Sequence, residues 1–141
     1  MSVMDDYMNA RKAAHELASP SEHFELAQRL KLTYDPAPGL RTGELEAAKF
    51  FRLAADKGHA ESQYQLGCMY WYAMGVRRSY YLAARWFRRA AKQGEAGAMF
   101  FLASAHRKGR GVKLDLAKAA NWEREGYRQM LANAAANKAG S

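Results

Sequence analysis

The stretch AARWFRRAAKQG at residues 83–94 decides the fold, because a near copy, AAKFFRLAADKG, lies 36 residues upstream at residues 47–58. A shortened third copy, AANW, follows at residues 119–122. Other positions keep the same register without a gap: Leu30 aligns with Leu66 and Leu102, and Gly75 aligns with Gly111. A fixed period of this length is typical of stacked-repeat proteins, in which each repeat buries its apolar face against its neighbours.

Each repeat is predicted to consist of an A helix, a short glycine-containing turn and a B helix. Ser19, Pro20 and Glu22 form a helix-start signal, and Ser79 and Asp115 are placed to cap B helices. The A helices are expected at residues 20–33, 59–72 and 95–107, and the B helices at 42–58, 79–94 and from 115 to about 133. A short N-terminal helix at residues 3–18 brings the total to about seven.

We therefore predict one all-α repeat domain over residues 1–141. Its parts are an N-terminal capping helix (1–19), a degenerate repeat (20–58), two further repeats (59–94 and 95–131) and a tail (132–141). The repeat at 95–131 includes the C-terminal capping helix. On the helical wheel of residues 60–72, Leu66 and Met69 share the inner face, whereas Gln65 and Tyr72 lie on the opposite, outward stripe.

The segments AESQYQLGCMY (60–70) and GRGV (109–112), with Trp86-Phe87 and Ala90-Ala91, resemble the Sel-1-like repeat, a relative of the tetratricopeptide repeat. Residues 96–122 resemble a second copy and residues 24–55 a degenerate first copy. The resemblance implies a right-handed α-α superhelix that acts as an adaptor or scaffold, commonly in bacterial signalling, envelope or host-interaction systems. Ala73-Met74 departs from the family pattern, which has a glycine before Gly75.

No constellation for catalysis or metal binding can be assembled from the sequence. The four histidines are scattered without ligand spacing, and nothing near the single Cys68 would lower the pKa of its thiol. We therefore predict a non-enzymatic protein with no cofactor and no metal.

Charge is distributed unevenly along the chain. Residues 1–76 carry 8 basic and 10 acidic side chains, whereas residues 77–118 carry 11 basic and 2 acidic ones. Such asymmetry indicates an acidic protein partner, with nucleic acid or another polyanion as the alternative. Arg77, Lys113 and the nearby Arg110 are expected to form a basic edge along successive turns.

The sequence also allows a prediction of the cellular compartment. The N-terminus carries no secretory signal pattern, and no apolar stretch is long enough to span a bilayer. The sequence predicts a cytoplasmic protein that does not engage membranes; a secreted effector exported by a non-classical route stays open. The oligomeric state is not indicated.

Four aromatic residues flank the turn between residues 72 and 80: Trp71, Tyr72, Tyr80 and Tyr81. They form a partner-binding patch in one interpretation. In the other, Trp71 and Tyr80 pack between layers and leave only the remaining two exposed.

The outward stripe of the A helices is the predicted binding groove, on the concave side of the stack. We expect a peptide or helix of a partner protein to lie across it and to contact Phe101 and Tyr72. An alternative is that the tail around Met130-Leu131 folds back over Phe101. The predicted partner-binding residues are Arg29, Gln65, Trp71, Tyr72, Arg77, Phe101, Lys108, Arg110 and Lys113.

Overall fold

The computed structural model describes residue 5, residues 19–31 and residues 42–140. Six helices lie in the two longer ranges: α1 (Pro20–Lys31), α2 (Thr42–Asp56), α3 (Ala60–Tyr72), α4 (Tyr80–Lys92), α5 (Ala96–Lys108) and α6 (Leu116–Ala139). The all-α repeat prediction is confirmed. Helix α6 runs further than its predicted end near residue 133. The predicted capping helix at residues 3–18 lies, apart from residue 5, outside the described residues.

Side-chain caps begin the helices where the sequence predicts them. The Ser19 hydroxyl accepts the Glu22 backbone N–H at 3.2 Å, and the Glu22 carboxylate accepts the Ser19 N–H at 3.1 Å, which completes a capping box. Ser79 caps α4 and Asp115 caps α6 in the same way, through backbone N–H groups three residues onward. Each cap satisfies helical N–H groups that have no partner within the helix.

The core forms two continuous layers between neighbouring helices. One layer joins α1, α2 and α3 and includes Trp86 of α4, and the other joins α3, α4 and α5. Alanines at the repeated positions of the B helices are buried and let the helices approach closely: Ala47, Ala48, Ala83 and Ala84. Gly67 has the same role on α3, because a Cβ at this position would overlap the Phe87 ring. The largest buried side chains include Phe51, Leu66, Phe87 and Leu102.

Two turn glycines, each between the A and B helices of one repeat, pack against the preceding repeat. Gly75 has φ 71° and Gly111 has φ 73°, in the left-handed region that favours glycine. A Cβ on Gly75 would overlap the backbone carbonyl of Glu44, and a Cβ on Gly111 would overlap that of Tyr80. Glu44 and Tyr80 both lie in the first turn of the preceding B helix. The repeated glycine is therefore required twice, by its own turn and by the neighbouring repeat.

Helices α1, α3 and α5 are the A helices, and α2, α4 and α6 are the B helices. Each helix packs on the helix before and after it, and the A helices α3 and α5 also contact each other directly. This arrangement brings the outward residues of successive A helices next to one another, which is where the sequence predicts a site.

Candidate partner-binding face

The A-helix face is the row of outward residues on α1, α3 and α5. All its members are exposed or half-buried, as the predicted outward stripe requires. The repeat register also assigns Leu32 to this stripe, but Leu32 lies outside the described residues. The Lys31 Nζ donates to the Gln65 Oε1 at 3.3 Å and so connects α1 with α3 across this face. The members are Glu25, Arg29, Glu61, Gln65, Cys68, Tyr72, Gly97, Phe101, Ser104 and Lys108.

Tyr72 and Phe101 meet where α3 lies beside α5. The Tyr72 side chain is 55% exposed, and its ring stands edge-on to the Phe101 ring, with centroids 6.1 Å apart and an interplanar angle of 81°. Phe101 is half-buried and stacks on Phe87, which belongs to the core. Phe101 therefore lies on the outward stripe, where the sequence places it, but only part of its ring is exposed, because the ring also packs between α3, α4 and α5.

Trp71 is only 7% exposed and lies beneath the A-helix face. Its ring makes edge contacts with Tyr80, at 4.8 Å, and with Phe101, at 5.5 Å. The structure thus favours the interpretation in which Trp71 and Tyr80 pack between layers. Trp71 was expected among the partner-binding residues, but its buried position makes it a support for Phe101 rather than a contact surface.

The second exposed tyrosine of this region lies on a B helix and not on the A-helix face. Tyr81 lies on the B helix α4, is 62% exposed, and has the guanidinium carbon of Arg85 at 5.9 Å from its ring centroid. Tyr72 belongs to the A helix α3. The four aromatic residues around the turn therefore do not form a single patch, and Tyr72 is the one that remains accessible on the A-helix face.

The basic edge lies beside the C-terminal ends of the A helices. Arg77, Lys108, Arg110 and Lys113 are all exposed, and the Arg110 guanidinium carbon lies 5.2 Å from the Tyr80 ring centroid. The Lys113 backbone is held by His106, whose Nδ1–H donates to the Lys113 carbonyl at 3.2 Å. His106 lies 36 residues after Tyr70 in the repeat register, which gives no sign of this contact.

The opposite edge of the face is acidic. Glu25 and Glu61 are exposed at equivalent positions in successive A helices, and Glu95 precedes α5. Burial, together with the nearby negative charge of Glu61, raises the pKa of Glu95. The A-helix face therefore runs from an acidic edge, formed by Glu25, Glu61 and Glu95, to a basic edge beside the C-termini of the A helices.

Cys68 lies on this face but is poorly suited to nucleophilic chemistry. Burial raises the pKa of its thiol to about 11, outweighing the opposing effects of the Tyr64 hydrogen bond and the Lys31 charge. Burial also raises the pKa of Tyr64 to about 12. The neutral thiol is a weak nucleophile near pH 7. Among the described residues, no group of three His, Cys, Asp or Glu side chains is arranged to hold a metal ion.

The C-terminal tail does not cover the face. Met130 and Leu131 belong to α6, which is continuous through both residues, and both side chains are more than half exposed. The alternative in which this segment folds back and buries Phe101 is therefore wrong. Phe101 is instead covered in part by Trp71, Tyr72 and Phe87.

Three segments of the chain match the family model for the Sel1 repeat: residues 38–59, 60–95 and 96–124. The second and third segments correspond to the α3–α4 and α5–α6 pairs. Because the matched segments cover more than half of the chain, this protein belongs to the Sel1 repeat family. Such repeats generally form protein-binding scaffolds and are usually non-catalytic.

Two solved structures are similar to this chain. A Sel1 repeat protein from Oxalobacter formigenes has a TM-score of 0.73 and 25% sequence identity, over 86% of this chain and 89% of that one. A protective antigen of uropathogenic Escherichia coli strains, which displays an SLR fold, has a TM-score of 0.73 and 28% identity. That alignment covers 86% of this chain and 25% of the antigen, so this chain spans about a quarter of its length. No curated protein sequence matches the chain.

None of the helices in the described part of the chain has both the length and the apolar character needed to cross a membrane.

Proposed function

We propose that this protein is a non-enzymatic adaptor or inhibitor that binds a partner protein across the A-helix face. The observation that carries the proposal is Tyr72, an exposed aromatic ring held edge-on against the half-buried Phe101. Exposed aromatic residues with few rotatable bonds are common hot spots of protein interfaces, and burying one contributes ~2 kcal/mol or more. Contacts with neighbouring packed rings reduce the conformational freedom that Tyr72 loses on binding.

The polar members of the face supply hydrogen bonds around this ring. Gln65 already accepts a hydrogen bond from Lys31 and keeps a half-exposed amide, while Arg29 and Lys108 are exposed on the neighbouring A helices. An extended or helical segment laid across α1, α3 and α5 would reach all of them. Phe101 contributes the exposed part of its ring, and Trp71 supports that ring from below.

Charge at the two edges favours one orientation of the bound segment. Arg77, Arg110 and Lys113 would face acidic residues of the partner, and Glu25 and Glu61 would face basic ones. Exposed charges of this kind act mainly on the rate of encounter and on specificity. We therefore assign the aromatic pair to affinity and the two edges to orientation.

Nucleic acid or another polyanion is the second candidate. The observation in its favour is the excess of 11 basic over 2 acidic side chains in residues 77–118. Binding of this kind weakens steeply with salt, because it releases condensed counterions.

Affinity capture from the native host separates the two candidates. The tagged protein is incubated with lysate with and without nuclease, at low and at high salt, and bound protein and nucleic acid are quantified. We expect a discrete protein that stays bound after nuclease treatment. Recovery of nucleic acid alone, with a steep loss between low and high salt, would overturn the adaptor proposal and favour the polyanion.

A further inference from the structure

A cleft lined mainly by the B helices contains a cluster of arginine side chains that the A-helix face does not have. It has a volume of about 210 Å³ and lies between α2 and α4, with Tyr70 of α3 in its lining. Three of its lining residues are arginines, one from α2 and two from α4. The lining residues are Arg52, Asp56, Tyr70, Leu82, Arg85, Trp86 and Arg89. We call it the arginine cleft.

Within the described residues, the guanidinium groups of Arg52, Arg85 and Arg89 form no ion pair with an acidic side chain. Other surface cations of the chain do form ion pairs, for example Arg107 with Glu123 at 2.6 Å and Arg128 with Glu125 at 2.7 Å. Within the described residues none of the three cleft arginines does, although Asp56 belongs to the same lining. The cleft therefore keeps a net positive charge, with guanidinium hydrogen-bond donors available to an anion.

Contacts with aromatic rings hold two of these arginines in place. The Arg89 guanidinium carbon lies 4.7 Å from the Trp86 ring centroid, and that of Arg85 lies 5.9 Å from the Tyr81 ring centroid. Cation–π contacts of this kind restrict long side chains that would otherwise be mobile. Less conformational entropy is then lost when an anion binds.

The repeat register shows that this arrangement is particular to one pair of helices. A step of 36 residues moves Arg85 to Asn121, Arg89 to Glu125 and Asp56 to Lys92. The corresponding position between α4 and α6 keeps one arginine, Arg88, beside Lys92 and Glu125, so it has one guanidinium group instead of three and a net charge of +1 instead of +2. The cleft is a local feature of the α2–α4 pair and does not follow from the repeat pattern.

We propose that the arginine cleft binds an acidic side chain of a protein segment, as a docking point separate from the A-helix face. Its volume equals that of about seven liquid waters, which suits one or two carboxylate side chains. Nucleic acid fits less well, because single-stranded recognition stacks bases on exposed aromatic rings. Trp86 is buried and its ring is already covered by Arg89.

A pair of matched double variants tests the proposal. Arg52→Gln with Arg85→Gln removes two charges from the cleft, on two different helices. Arg88→Gln with Lys92→Gln removes two charges from exposed positions of α4 that do not line the cleft. All four side chains are exposed, so both variants should fold and melt like the parent protein. Tyr72, Phe101 and the basic edge are unchanged in both variants, so any binding of the probe to the A-helix face contributes equally to the two.

The probe is a fluorescein-labelled, capped hexaglutamate peptide, followed by fluorescence anisotropy at low salt. We expect saturable binding that weakens about tenfold or more in the cleft variant and less than threefold in the control variant. Equal weakening in both variants would show general surface attraction and overturn the proposal, as would a lack of saturable binding. Labelled hexathymidylate is the third arm. Cleft-dependent binding of this oligonucleotide that is as tight as that of hexaglutamate would overturn the assignment to an acidic protein segment.

Discussion

The Phe101 ring of α5 stacks on the Phe87 ring of α4, with centroids 4.5 Å apart and an interplanar angle of 8°. Phe87 is fully buried, whereas Phe101 is half-buried at the surface formed by the A helices. Tyr72 then stands edge-on to the Phe101 ring. One aromatic column therefore leads from the core to the exposed tyrosine, and we expect stability and the proposed binding to depend on different members of this column.

Phe101→Ala is expected to destabilise the fold by about 2 kcal/mol, because it removes the ring that contacts Phe87, Trp71 and Tyr72. Tyr72→Ala should cost less than about 1 kcal/mol, since its side chain is more than half exposed. Urea denaturation followed by circular dichroism measures both. Equal stability of the Phe101→Ala variant and the parent would show that Phe101 does not belong to the packed column.

Gly111→Ala is expected to destabilise the protein by about 2 to 4 kcal/mol, because the new Cβ adds left-handed strain and overlaps the Tyr80 carbonyl. Gly58→Ala is the matched control. Gly58 also has a positive φ, of 90°, but a Cβ there meets nothing within 4 Å, so its cost should be about 1 kcal/mol of left-handed strain. If thermal denaturation shows the same loss of stability for both variants, contact between the Gly111 turn and the preceding B helix is not important for stability.

Ala73→Gly is expected to stabilise the protein by up to about 1 kcal/mol. Ala73 ends α3 in the left-handed conformation, with φ 55°, whereas the equivalent position after α5 is Gly109, with φ 66°. Ala120→Gly, at an exposed position within α6, should have the opposite effect, of similar size, because glycine disfavours a helix interior. Melting temperatures of the two variants, measured in parallel, show whether each substitution stabilises or destabilises the protein. A lower melting temperature for Ala73→Gly would contradict the assignment of strain to this residue.

Cys68 is expected to react slowly with iodoacetamide at neutral pH in the folded protein. Burial disfavours the thiolate and raises the pKa to about 11, so the alkylation rate should keep rising as the pH approaches that value. In denaturant the rate should instead level off above the ordinary thiol pKa of about 8.5. Mass spectrometry of timed aliquots follows the reaction. A folded-state midpoint near pH 8.5 would show that Cys68 is more open to solvent than the structure places it.

The repeat period was sufficient to predict the architecture. The 36-residue register located the A and B helices, the caps at Ser79 and Asp115, and the outward stripe of the A helices. These features depend on local residue type and helical periodicity, which a sequence displays directly. The close approach of Gly111 to the Tyr80 backbone depends instead on how neighbouring repeats pack, which the residue pattern does not display.

The burial and contacts of individual side chains were harder to predict from the sequence. Position 101 corresponds to Gln65 and Arg29 in the other repeats, so the register assigns it to the surface. A phenylalanine at this position instead reaches Phe87 on the next helix layer. The arginine cleft was missed for a related reason: Arg52 and Arg85 lie on different helices, and a helical wheel treats each helix alone.

The central claim is that Tyr72 on the A-helix face binds the partner protein. The most direct measurement compares two exposed tyrosines once a partner has been captured. Tyr72 lies on the A-helix face and Tyr81 on the B helix α4, and their exposed fractions are similar, 55% and 62%. Isothermal titration calorimetry gives the dissociation constant of the partner for the parent, Tyr72→Ala and Tyr81→Ala proteins. We predict a loss of affinity of about 30-fold for Tyr72→Ala, equivalent to ~2 kcal/mol, and of less than threefold for Tyr81→Ala, with both melting temperatures lowered by no more than a few degrees. Unchanged binding by Tyr72→Ala, or a greater loss with Tyr81→Ala, would contradict it.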